Sequence, residues 1–123
     1  MDNHAALIVE DSQRKVLICN SKFCDIFGIP VKPESLIGTD CSDSAGLVKH
    51  LFIDEEKFVN DIDIILDKRE PVIGEVLNMK SGVNLRRDYL PIFSGDKYIG
   101  HTWQYYILLT SEKKWFQKWF RIK

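Results

Sequence analysis

The sequence predicts an α+β domain: a five-stranded antiparallel sheet carrying short helices and one longer helix on one face. Three observations predict it. Two short apolar runs joined by a polar turn open the chain, helical spacing with capping residues fills the middle, and three long strand-like segments joined by glycine-containing turns follow. At 123 residues the chain is long enough for one modest core and too short for two. Its composition, 45% hydrophobic and 28% charged, is that of a folded globular protein rather than a disordered one.

Ala5 to Glu10 and Lys15 to Cys19 read as the first two strands, with Asp11-Ser12-Gln13-Arg14 as the hairpin connection. Asn20 or Ser21 caps the following helix, whose apolar residues Phe23, Ile26 and Phe27 recur at helical spacing. Gly28 ends it, and Pro30 and Pro33 prevent an easy restart. Pro33 to Ile37 suggests one helical turn opened by proline and closed by Gly38. Thr39 to Asp54 alternates short apolar and polar pieces, which predicts one or two brief helical turns. Asp54 then caps a longer helix with Glu55 and Glu56 at its start and Lys68 and Arg69 at its end, the polarity that the helix dipole favours. Pro71 stops it. Val72 to Met79, Val83 to Phe93 and Tyr98 to Leu109 read as three strands, separated by turns at Lys80-Ser81-Gly82 and Ser94-Gly95-Asp96-Lys97. The last three pair as neighbours, and the first two complete the sheet, whose apolar side the helices cover.

Several of these segments carry a family likeness. Asn20-Ser21-Lys22-Phe23-Cys24-Asp25-Ile26-Phe27-Gly28 resembles the asparagine-to-glycine stretch that opens the first helix of PAS domains. Leu36-Ile37-Gly38 resembles the next marker of that family, and Arg87 to Phe93 its penultimate strand. Gly100 to Thr110, with Glu112-Lys113-Lys114 after it, resembles the last strand and the start of the outgoing helix. The likeness spans residues 5 to 114, most of all to sensory segments of bacterial histidine kinases, hybrid kinases included. It implies a PAS-like sheet and helical flank enclosing a small cavity, over residues 1–110. Residues 111–123 then form an amphipathic tail or the start of a signalling helix. It also implies dimerisation through terminal helices and contact with neighbouring signalling domains. One departure stands out: the family commonly ends its last strand with an aspartate, an aliphatic residue and threonine. Here Ile107-Leu108-Leu109-Thr110 keeps the threonine and lacks the aspartate.

The resemblance implies a non-catalytic sensory and signal-relay module, any kinase activity lying in other domains. The residues agree. His4, His50 and His101 fall in different elements, and no phosphate-binding glycine loop occurs. A net charge of -1 gives no field to attract nucleic acid or an acidic membrane. No apolar run reaches membrane-spanning length and no signal pattern opens the chain, so a cytoplasmic placement is expected, within a membrane-attached kinase or not. Cys19, Cys24 and Cys41 form no disulfide framework and no ligand spacing for zinc, so no metal is expected. Cys41 stands where flavin-binding light sensors of the superfamily carry a photoreactive cysteine. Its neighbours Asp40 and Ser42-Asp43-Ser44 differ from theirs, and acids beside a thiol raise its pKa. A half-buried thiol at a pocket rim is the expectation. Haem-binding members carry a histidine on the long helix, which here has none, and His50 just before it is read as a surface or hydrogen-bonded residue. Neither haem nor flavin is expected.

What remains is a small apolar pocket. Its expected lining is Ile26, Phe27, Phe52, Phe58, Ile62, Leu90, Ile92 and Trp103, with Tyr105 or Asn78 as polar punctuation. The same side chains would serve equally well as plain core, since composition does not separate the two. Strand alternation places Arg86, Asp88, Leu90 and Ile92 on one face and Leu85, Arg87, Tyr89, Pro91 and Phe93 on the other. Both are partly apolar, as expected if helices cover one face and a dimer partner or terminal helix the other. Tyr89 and Phe93 are the interface candidates. Trp115, Phe116, Trp119 and Phe120 form one face of the tail, opposite Lys114, Lys118 and Arg121, and are expected to pack on the sheet or on a second subunit. A membrane-surface contact is the alternative for that tail. A constitutive dimerisation scaffold with a filled core is the alternative to ligand sensing.

Overall fold

The structure, a computed structural model, describes residues 5–108. Strand β1 (Ala6–Asp11) turns into β2 (Val16–Cys19) through a loop in which Asp11 Oδ1 accepts from the amides of Gln13 and Lys15 and Arg14 takes a left-handed backbone. Helix α1 (Ser21–Phe27) follows at once. Its cap, Asn20, holds more than the helix: Oδ1 accepts from Phe23 N and Leu7 N, both at 3.0 Å, while Nδ2 donates to Ala5 O at 2.9 Å. One side chain thus caps α1 and fastens it to β1. Gly28 closes the helix at φ 67°, where a side chain would be strained.

A 3-10 turn (Pro33–Leu36), helix α2 (Ser44–Val48) and a second 3-10 turn (Lys49–Leu51) make up the irregular middle. Helix α3 (Glu55–Lys68) is capped by Asp54, whose carboxylate accepts from Lys57 N, and ends at Arg69 in the left-handed region. The remaining strands are β3 (Val72–Asn78), β4 (Asn84–Ser94) and β5 (Lys97–Leu108). The sheet order is β2-β1-β5-β4-β3, every pair antiparallel. The first and last described strands therefore lie side by side at its centre, from Ala6 opposite Tyr105 to Asp11 opposite Gly100. Their closest approach is at Gly100, where an added Cβ would stand 2.3 Å from Glu10 O.

Helices cover one face of the sheet. Ala6, Ile8, Leu77, Leu85, Tyr89, Trp103 and Tyr105 are buried there against Phe27, Phe52, Phe58, Ile62 and Ile65. This corrects the expected strand phase. Tyr89 pairs with Trp103 and Arg87 with Tyr105, so Tyr89 belongs to the helix-covered face and is 0% exposed, not an interface residue. Leu90 pairs with Thr102 and points to the opposite face with Ile92, which is 37% exposed. Both phases of β4 mix apolar and charged residues, Arg86 and Asp88 with Leu90 and Ile92 outward, Arg87 with Leu85 and Tyr89 inward, so alternation alone does not say which one faces the helices.

Candidate ligand cavity

Between the inner face of the sheet and the three helices lies a cavity of about 320 Å³, at the small end of the range for small-molecule sites. Ile8 and Val16 come from the first hairpin, Phe23 and Phe27 from α1, Ala45 and Val48 from α2, Phe58 and Ile62 from α3, and Trp103 and Tyr105 from β5. Of the expected lining, Phe27, Phe58, Ile62 and Trp103 meet here, with Tyr105. Ile26 packs half-buried against the core beside the cavity, outside its wall. Phe52 is buried and stacks on Phe58 at 4.1 Å, so it backs the wall; with Asn78 it lines a separate, more polar cleft. Leu90 and Ile92 lie across the sheet, outside the cavity. Phe93 is 47% exposed at the β4–β5 turn, its ring packed edge-on against Tyr98. Trp115, Phe116, Trp119 and Phe120, together with the whole segment 111–123, lie outside the described residues.

One end of the cavity is charged. Glu10 is 2% exposed; its Oε1 accepts from Arg14 Nε at 2.7 Å and from His101 Nε2 at 2.6 Å. Burial opposes ionisation of this carboxyl, but the bonds from His101 and Arg14 outweigh it and hold its pKa below the ordinary range. The chain of contacts continues outward: His101 Nδ1 is hydrogen-bonded to Tyr98 Oη, and the Arg69 guanidinium lies 4.2 Å from the Tyr98 ring centroid. A polar path thus runs from the cavity wall to the end of α3. Sequence reading missed both Glu10 and His101. The signal was present in β1, where Glu10 shares the inward phase of Ala6 and Ile8.

Behind the wall, Arg87 is wholly buried, donating from Nε and Nη2 to Glu75 Oε1 at 3.0 and 2.8 Å. Its guanidinium lies 5.2 Å from the Trp103 ring and 5.6 Å from that of Phe58. Cys41 lines the cavity and is buried rather than half-buried. Its thiol is pushed up to about 12, first by burial and then by the negative charge of Glu10, with Asp40 a lesser contributor. The expected direction holds, and the main cause is desolvation rather than the neighbouring acids. His50 is exposed and is not among the cavity-lining residues. Among the described residues no group of three or more His, Cys, Asp or Glu is placed to hold a metal ion, and no helix is long and apolar enough to cross a membrane.

No protein-family model matches the chain, and no curated protein matches it either. Solved structures do. The PAS domain of Bordetella pertussis BvgS superimposes with a TM-score of 0.59 at 17% identity, over 94% of this chain and 85% of that one. The fold is the PAS fold. The sensor region of a sensor histidine kinase matches with a TM-score of 0.61 at 13% identity, over 82% of this chain and 38% of that one. A light-oxygen-voltage domain gives 0.58 at 14% identity, over 91% and 83%. Identities this low carry the PAS fold to this chain and leave ligand and output to be argued from its own residues.

Proposed function

We propose that this chain is a non-catalytic sensory PAS module of a bacterial sensor histidine kinase, acting in the cytoplasm. It binds a small, mainly apolar molecule in the helix-covered cavity and relays occupancy to neighbouring signalling domains. The observation that carries the reading is the cavity itself, whose wall is shared between the two central strands and all three helices. A ligand touching both layers stabilises one arrangement of helices on sheet over another by its differential affinity for the two. A sensor region of a histidine kinase among the similar structures supports the kinase context. Neither flavin nor haem is proposed as the ligand: the residues flanking Cys41 differ from those of the flavin-binding sensors, and no histidine is among the cavity-lining residues. Native mass spectrometry of gently purified protein, with an absorption spectrum, tests the reading. A stoichiometric colourless mass is expected. Haem or flavin bands would overturn the choice of ligand, and protein that takes up no small molecule would overturn sensing.

A second role is favoured by the outer face of the sheet. Ile18, Val76 and Ile92 are 57%, 55% and 37% exposed there, an apolar surface suited to a second subunit or to the chain's own tail. If association is the whole function, the mass distribution over a concentration series will be the same with and without ligand. Truncation at residue 114 separates a tail-mediated dimer from a sheet-mediated one, and co-sedimentation with liposomes tests the membrane alternative for the tail.

A further inference from the structure

Glu10 is the buried carboxylate in the wall of a mainly apolar chamber; Asp40 and Asp43, also in the lining, are exposed. Both of its hydrogen bonds, to Arg14 and to His101, end on Oε1. Oε2 takes neither of them, and the only further donor to this carboxylate among the described residues is the Cys41 thiol, a weak one. Since Glu10 lines the cavity, the acceptor capacity left on its carboxylate is available to whatever occupies it. A carboxylate has room for about four hydrogen bonds, and one left short of donors in a dry site is costly.

The charges around it narrow the choice further. The ionisable carboxylates of the lining are Glu10, Asp40 and Asp43, against one basic side chain, Arg14, which Glu10 already engages. The excess is negative, so a ligand anion would meet repulsion and a desolvated carboxylate with no donor to give it. Ile8, Val16, Phe27, Phe58 and Ile62 supply only apolar contact to the rest of the molecule.

From this geometry we infer that the ligand is a small, mainly apolar molecule bearing one hydrogen-bond-donating head group, a hydroxyl or an amine, which Glu10 Oε2 receives. The inference rests on the proposed sensing role of the cavity. Four probes of one shape test it: ethylbenzene, benzyl alcohol, benzylamine and benzoate, titrated into the full chain and followed by amide NMR shifts. Benzylamine is expected to bind at least roughly tenfold tighter than benzoate, the scale of one hydrogen bond to a charged group. Glu10→Gln is expected to weaken benzyl alcohol and benzylamine by a similar factor and to leave ethylbenzene unchanged. If the variant does not fold, the benzylamine-to-benzoate ratio of the native protein decides alone. Ethylbenzene binding with benzoate as tight as benzylamine, or a folded variant that binds all four as before, overturns the donor inference and leaves the cavity reading standing. If none of the four binds, both fall.

Discussion

Removing Glu75 is expected to destabilise the domain far more than removing Arg87, although either change breaks the same ion pair. The two halves sit in different surroundings: the Arg87 side chain is 0% exposed and that of Glu75 22%. Glu75→Ala leaves a fully buried guanidinium with none of its described carboxylate bonds, and breaking a buried pair this way costs about 3–5 kcal/mol. Arg87→Met leaves a carboxylate that water can reach. It forfeits the ring contacts with Trp103 and Phe58, about 0.5–2 kcal/mol, and it removes the unpartnered Nη1, a buried donor that itself costs about 1–3 kcal/mol. These contributions nearly cancel, so a change within about 1 kcal/mol is expected. Urea unfolding at pH 7 measures both. With a slope of about 2 kcal/mol per molar, Glu75→Ala lowers the midpoint by roughly 2 M and Arg87→Met scarcely moves it. Equal losses in the two variants, or a larger loss in Arg87→Met, would refute the reasoning that desolvation of the arginine dominates this pair.

Gly100→Ala places a methyl group 2.3 Å from the backbone oxygen of Glu10, and neither central strand can yield. A loss of about 1–3 kcal/mol or more is expected in thermal unfolding, whereas Gly46→Ala in α2, with nothing within 4 Å, should be neutral or gain about 0.4–1 kcal/mol. Asn20→Ala loses a helix cap and the bonds to Leu7 of β1 and to Ala5 just before it, about 2–3 kcal/mol together. Asn20→Asp keeps the acceptor and loses the Nδ2 donor, so an intermediate midpoint is expected. Because the folded pKa of Glu10 lies below the ordinary 4.5, its contribution is complete above that value and is lost as the pH falls through the lower folded one. Acid unfolding curves of wild type and Glu10→Gln should therefore converge below pH 4.5. Cys41, with its thiol pushed up to about 12, should resist iodoacetamide at pH 8 until the chain is unfolded, which timed alkylation with peptide mapping reads directly.

The elements were legible because their ends are written in local chemistry. Asn20 and Asp54 cap the helices they were expected to cap, and Gly28 closes the first of them. Gly82 and Gly95 take positive φ in the turns where they were expected. Periodicity does not encode which strands meet. The pairing of β1 with β5 joins residues 89 to 99 positions apart, and the sequence reading left the sheet order open. Alternation could not decide the phase of β4, because both phases carry charge and Arg87 is buried only with partners supplied by other elements, Glu75, Trp103 and Phe58. The polar end of the cavity escaped for the same reason. Glu10 at the end of an apolar run reads as a solvent-facing strand terminus until His101 is brought beside it by the sheet.

The most direct test of the central claim is methyl NMR of the full chain titrated with ethylbenzene, a probe that needs no polar partner. Methyl shifts are expected at Ile8, Val16, Val48 and Ile62, which share the cavity wall, and none at Leu90 and Ile92 across the sheet. Shifts confined to Leu90, Ile92 and the outer face, or no saturable shift anywhere, would contradict a ligand cavity between the helices and the sheet.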